Sequence, residues 1–154
     1  METATTAAPV QYVGFWARVG ASIIDTILIL MVIVPIALAV VGKEYFDPTR
    51  ALGSAEVLLE WIFPAVAVIV FWIYRSATPG KMVINAIIVD ANTLGKPSTG
   101  QLVGRYLGYF VSTIPFGLGL FWIGWDKRKQ GWHDKLAGTV VIRAPRHSQR
   151  TPSP

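Results

Sequence analysis

The chain has 154 residues, of which 53% are hydrophobic and only 15% charged, with a mean hydropathy of +0.48. A water-soluble domain carries roughly 25% charged residues, so this chain has too few polar side chains to cover a surface in water, and its length suits one small domain in a bilayer. The absence of cysteine excludes disulfides, thiolate metal sites and thiol chemistry, and two histidines, His133 and His147, leave little for zinc.

The net charge of +5 invites a nucleic-acid reading, but its distribution argues against one. Lys127, Arg128, Lys129, Lys135, Arg143, Arg146 and Arg150 all follow the last hydrophobic segment. A basic flank beside a span is a topology signal and a contact for anionic lipid headgroups. The expected partner is therefore the lipid bilayer, not nucleic acid.

Residues 1–11 are small and polar, are expected to be disordered, and lack the basic start and cleavage site of a signal peptide. The first hydrophobic segment runs from about 14 to 41, enough to cross ~30 Å of hydrocarbon at 1.5 Å per residue. It carries two charges. Arg18 lies near one end, where its long stem can snorkel to the headgroups. Asp25 is two helical turns further along nearly the same face, with Ser22 and Ala21 between them. In an upright helix Asp25 sits about 16 Å from Gly14, close to mid-bilayer. A carboxylate there costs ~2.5–3.5 kcal/mol on insertion scales, so Asp25 is expected to be protonated, paired or facing water.

The second segment runs from about 57 to 74, with Glu60 and Pro64 near its start and Trp61, Trp72 and Tyr74 toward its ends. Next comes ATPGKMVINAIIVDANTLGKPS: a Pro-Gly break, a strand-like AIIVD and a turn. The third segment, about 100–125, is interrupted at TIPFGLG, where Pro115 and two glycines predict a kink or a stop. Within it Gly100, Gly104, Gly108 and Ser112 recur every fourth residue, a small-residue groove for close helix approach. Arg105 borders that groove, within reach of a carboxylate such as Asp25 or Glu60 or of lipid phosphates. After it, KQGWHDKLAG places Asp134 to cap a helical turn or to pair with Arg18, beside a His133 that has the chemistry of a pH-responsive group. A second strand-like piece, Thr139–Arg143, is predicted to pair with Ala86–Asp90. Residues 145–154 are expected to be a disordered basic tail.

Lys and Arg counts place the second connection and the tail on the cytoplasmic side, together with the N-terminus. Two full crossings satisfy that count. A third would export the basic tail, so a re-entrant third segment is preferred over one kinked crossing. The fold expected is an all-α membrane protein, a small helical bundle with a kinked or re-entrant third segment and a short cytoplasmic β-pairing.

The layout resembles the RDD family of small bacterial membrane proteins, named for one arginine and two aspartates. The resemblance rests on GFWARVGASIID, TPGKMVINAIIVD, Arg105 and WHDKLAGTVVI, and covers about Tyr12 to Ala144. It departs in Asn85, where a glycine is usual, and in Trp132 before the histidine. It implies a multi-span plasma-membrane protein with Arg18, Asp25 and Asp134 as the namesake residues, some relatives being proposed to exchange Na⁺ or other monovalent cations for protons.

Two functional readings follow. In one, Asp25 exchanges a proton for a monovalent cation, with Arg18 or Arg105 competing for the carboxylate. Ser22, Thr26, Ser112, Thr113 and carbonyls freed near Pro115 supply further oxygens, and Asp134 is a further candidate for the ion or proton site; three short segments enclose little volume, so a homo-oligomer is expected. In the other, Arg18, Asp25 and Asp134 only hold helices together, and the glycine face docks a membrane partner protein. No nucleophile–base pair, metal cluster or phosphate loop supports an enzyme, and no cofactor is implied; TPGK lacks the spacing of a phosphate-binding loop.

Overall fold

The computed structural model describes residues 9–144. Helix α1 spans Phe15–Val40. A short 3₁₀ turn at Lys43–Phe46 leads to α2 (Ser54–Val57), a π turn (Leu58–Ile62) and α3 (Phe63–Arg75), which run on as one rod over Ser54–Arg75. Pro64 accounts for the π turn: it has no N–H to donate and its ring collides with the carbonyl one turn back, so a widened turn at that point relieves the crowding.

The distribution of side chains is inverted relative to a water-soluble protein. Ile23, Ile27, Leu30, Met31, Val66 and Phe71 are exposed on α1 and α3, while Arg18, Arg105, His133 and Asp134 are buried. Apolar faces of that extent need a non-aqueous neighbour. By length and composition, α1 and the Ser54–Arg75 rod can each cross a membrane.

Ser76 ends α3 in the left-handed conformation, and α4 (Pro79–Val83) follows with Pro79 at its first position, where a missing N–H costs nothing. Asn85 then turns the chain into β1 (Ala86–Asp90) at φ 51. That left-handed φ explains why glycine suits this place and why asparagine, the best-tolerated alternative, serves.

Strand β1 pairs antiparallel with β2 (Thr139–Arg143), Ala86 facing Arg143 and Asp90 facing Thr139, as expected from the sequence. Two five-residue strands make a marginal ladder alone. Here both outer edges are covered. Val13 donates to the Val141 carbonyl at 2.9 Å and Arg143 to that of Gln11 at 2.9 Å, and on the other side Ile88 donates to Ser76 at 2.7 Å. Gln11 is thus already engaged, within the stretch read as disordered; the rest of that reading (1–8) and the tail from 145 on, with Arg146, His147 and Arg150, lie outside the described residues. Val13, Trp72, Ala86, Ile88, Leu102 and Val141 form the core between this sheet and the helix ends.

Asp90 closes the sheet's turn. It accepts from the Gln101 amide at 2.5 Å and from the backbone N–H groups of Thr93 and Asn92 at 2.8 Å each. These bonds, that of Gln101 foremost, hold its carboxyl at about 2, below the ordinary 3.8. A depressed folded-state value means that the stabilisation is fully present above the unfolded value and is lost as pH falls from about 4 to about 2. The protection factors of the Asn92 and Thr93 amides are expected to fall in that window, and Gln101→Leu, which raises the folded-state value, should narrow the window from its acid end.

The third hydrophobic segment is α5 (Thr99–Thr113) and α6 (Leu118–Trp125), bent by 101° at their junction. Ser98 starts α5 with a reciprocal cap on Gln101. Past the bend, α7 (Trp132–Ala137) lies back along α5 and hands over to β2. Because β1 precedes α5 and its partner β2 follows α7, the segment leaves from and returns to one end of the molecule.

Candidate functional site

Two polar clusters emerge. The first centres on Asp134, the third residue of α7, whose side chain is fully buried. Its Oδ2 accepts from the backbone N–H of Gly131 at 3.0 Å, capping α7, and from Arg18 Nη1 at 2.6 Å. Its Oδ1 accepts from Arg105 Nη1. The capping and pairing readings of Asp134 are therefore both realised. Arg18 spends its other nitrogens on carbonyls, Nε on Val13 at 3.0 Å and Nη2 on Lys129 at 2.5 Å. Its guanidinium does not snorkel outward; it turns in, because three acceptors converge on it there. Arg105 reaches neither Asp25 nor Glu60. It also donates to Thr139 Oγ1 at 2.9 Å and its guanidinium carbon lies 5.4 Å from the ring centre of Trp72 and 5.8 Å from that of Tyr109, while Nε and Nη2 have no hydrogen-bond acceptor. One carboxylate thus ties α1, α5 and α7 together, and Arg105 extends the cluster to β2.

His133, beside it, is stacked on Tyr109 and buried. Burial, then the nearby positive charges of Arg105, Arg18 and Lys81, push its pKa far below the ordinary histidine range. It stays neutral near pH 7 and does not serve as the pH-responsive group that the sequence suggested. Ser112 Oγ accepts from the His133 backbone N–H at 2.9 Å and lies 3.3 Å from Nδ1.

The small-residue groove is used by this chain itself, over half its length. A Cβ on Gly108 would lie 2.9 Å from His133 Cα, and one on Gly119 2.7 Å from Ser112 Cα. Gly100 and Gly104 meet no such neighbour: a Cβ on Gly104 would find nothing within 4 Å. The six-residue α7 is too short to cover them.

The second cluster is around Asp25, which is half-buried and apart from Arg18, Arg105 and Asp134. It meets the connection after α3 rather than a second span at mid-depth. Thr78 Oγ1 donates to its Oδ2 at 2.5 Å and the Gly80 N–H to its Oδ1 at 2.6 Å. Gly80 is required for this docking, since a Cβ there would stand 2.0 Å from the Ala21 carbonyl oxygen. The remaining face of Asp25 borders a cavity of about 400 Å³ between α1, α3, α4 and α5, with Ser22, Thr26, Thr113, Thr78 and Lys81 on its walls. Three of the hydroxyl residues named from the sequence therefore converge here with Asp25, and Ser112 does not. Thr26 and Thr113 each donate to the carbonyl four residues back, which leaves their lone pairs free.

Lys81 was not singled out by the sequence. Its side chain is buried, its one hydrogen bond is a 3.4 Å donation to Thr78, and no carboxylate among the described residues pairs with it. Burial lowers its pKa from the ordinary lysine value. By formal charge, Arg18, Arg105 and Lys81 against Asp25 and Asp134 leave one excess positive charge over the two clusters. Among the described residues no group of three or more histidine, aspartate or glutamate side chains is placed to hold a metal ion.

Comparison with known proteins adds to this geometry. The model of the RDD family matches residues 12–138. The chain is 45% identical over 76 residues to the uncharacterized protein RP437 of Rickettsia prowazekii, which covers 49% of this chain and 42% of that protein, less than half its length. It is 28% identical over 135 residues to the uncharacterized protein YckC of Bacillus subtilis, covering 85% of this chain and 84% of that one. To the uncharacterized protein YxaI of the same organism it is 28% identical over 148 residues, covering 84% and 95%. No solved structure matches the chain.

Proposed function

The chain belongs to the RDD family, and on that premise we propose that it is a non-enzymatic, multi-pass plasma-membrane protein that exchanges a monovalent cation for a proton at Asp25. The observation that carries this reading is a carboxylate from within the first apolar helix, facing a cavity whose wall includes the hydroxyls of Ser22, Thr26, Thr78 and Thr113. The Arg18–Asp134–Arg105 cluster has no such opening and acts as the clamp that holds the walls in place. In this reading the N-terminus and the sheet face the cytoplasm, where Arg75, Lys81 and Lys96 satisfy the positive-inside bias and the basic segments touch anionic headgroups.

The excess positive charge sets the coupling. A second cation entering beside Lys81 without loss of a proton would raise the charge of a site with low effective dielectric, where like charges repel by several kcal/mol at about 4 Å. A cation that takes the place of a proton leaves the charge unchanged, so exchange at Asp25 is one for one.

The test is proton flux in liposomes that contain a pH dye and the purified protein, challenged with Na⁺, Li⁺ or K⁺. Cation-driven flux is expected, and Asp25→Asn should abolish it while the protein still inserts. Flux that persists in Asp25→Asn defeats the reading. The clamp itself favours a second reading, a scaffold that docks a membrane protein or a second copy of this chain through the open Gly100–Gly104 face. No flux, together with loss of self-association in Gly104→Leu, is the result expected from it.

A further inference from the structure

The Asp25 cavity is far larger than a bare cation requires. Its volume of about 400 Å³ falls within the ~300–1,000 Å³ typical of small-molecule sites. Two opposite charges border it without neutralising each other. Lys81 has three donors and spends one, at a distance beyond a good hydrogen bond. Each Asp25 oxygen accepts a single bond and has a lone pair to spare. Trp72, Tyr106 and Tyr109 supply aromatic wall against which the organic part of a ligand and its ammonium can pack.

We propose that this cavity binds a small zwitterion, a primary ammonium joined to an oxyanion, with the ammonium on Asp25 and the oxyanion on Lys81. The inference rests on the reading of this cavity as the exchange site and adds the class of its organic substrate. Pairing selects the zwitterion over either half. An anion alone leaves Asp25 without a counter-charge, a cation alone leaves Lys81 without one, and a zwitterion pairs both. Two sources offer this chemistry. A free amino acid can enter from water; the headgroup of phosphatidylethanolamine can enter from the side, because Thr26, Phe110 and Thr113 are on the cavity wall and also exposed on the apolar surface.

The test is calorimetric titration of the full chain in neutral detergent with L-alanine, acetate and ethylamine. A parallel titration uses nanodiscs of phosphatidylglycerol with and without phosphatidylethanolamine. Saturable L-alanine binding, at least tenfold tighter than acetate or ethylamine, is expected if the source is aqueous. If the source is lipid, phosphatidylethanolamine should bind and weaken L-alanine at least tenfold. Lys81→Gln and Asp25→Asn should each weaken the zwitterion at least tenfold. The proposal is overturned if neither zwitterion binds, if acetate or ethylamine binds as tightly, or if Lys81→Gln changes nothing. Should that variant not fold, the ligand series on the unaltered chain decides alone. Proton flux in phosphatidylglycerol liposomes without amino acid separates the two ideas. Flux without zwitterion binding leaves the cation exchange and removes this inference; binding without flux does the reverse.

Discussion

Asp134→Asn is expected to destabilise the protein by about 3–5 kcal/mol, the cost of removing one partner from a buried ion cluster. The magnitude follows from what remains. Arg18 and Arg105 would face each other across a neutral amide, with Arg105 fully buried and Arg18 at 7% exposure, so neither guanidinium can recover hydration without opening the fold. Asparagine can still cap α7, since its side-chain oxygen accepts from Gly131, so the loss reports the charge and not the cap. Unfolding by denaturant in detergent measures it, and a loss under 1 kcal/mol would show that the cluster contributes little. Replacing Arg18, Arg105 and Asp134 together by apolar residues of similar volume should recover much of the loss, because no charge is then left buried alone. That contrast separates a clamp from an exchange site: the triple variant should fold and still bind cation at Asp25.

How far the sequence already revealed this arrangement depended on the range of the interaction. The strands could be read because AIIVD and TVVIR are short β-branched runs bounded by turn residues. The bend could be read because Pro115 and Gly117 interrupt an apolar helix, and the left-handed Phe116 and Gly117 sit there. Asp134 could be read as both cap and ion-pair partner because the cap is local and its basic partners are few. Lys81 and Thr78 could not. The partner of Thr78, Asp25, is more than fifty residues away, Lys81 bonds only Thr78, and TPGK by itself says only that a helix starts. The glycine series shows the same limit from the other side: Gly104 and Gly108 are equivalent in the pattern, and only the length of α7 decides which one is covered. The inward turn of Arg18 is not legible in the sequence, because a long basic side chain at a helix end ordinarily reaches for water, and the carbonyls of Val13 and Lys129 that draw it inward are arranged only by the tertiary fold.

Gly80→Ala should cost about 3 kcal/mol and remove whatever activity depends on Asp25, although alanine is the better helix former. The added Cβ would meet the Ala21 carbonyl oxygen at 2.0 Å and its carbon at 2.9 Å, and both are backbone atoms of α1 that cannot rotate aside. Overpacking of this kind ordinarily costs 1–3 kcal/mol, and here relief requires α4 to lift away. When it does, Asp25 loses the Gly80 N–H, Thr78 moves with it, and Lys81 leaves the cavity wall. Asp25→Asn and Gly80→Ala are therefore expected to be non-additive in stability, since the second removes contacts that the first has already weakened. The same substitution at Gly104 has the opposite sign. Nothing stands within 4 Å of its Cβ, so alanine there should stabilise α5 by roughly 0.5–1 kcal/mol through helix propensity alone. Thermal unfolding of the two single variants in one detergent tests the geometry directly, because propensity predicts two gains and the close approach of α4 to α1 predicts one gain and one large loss.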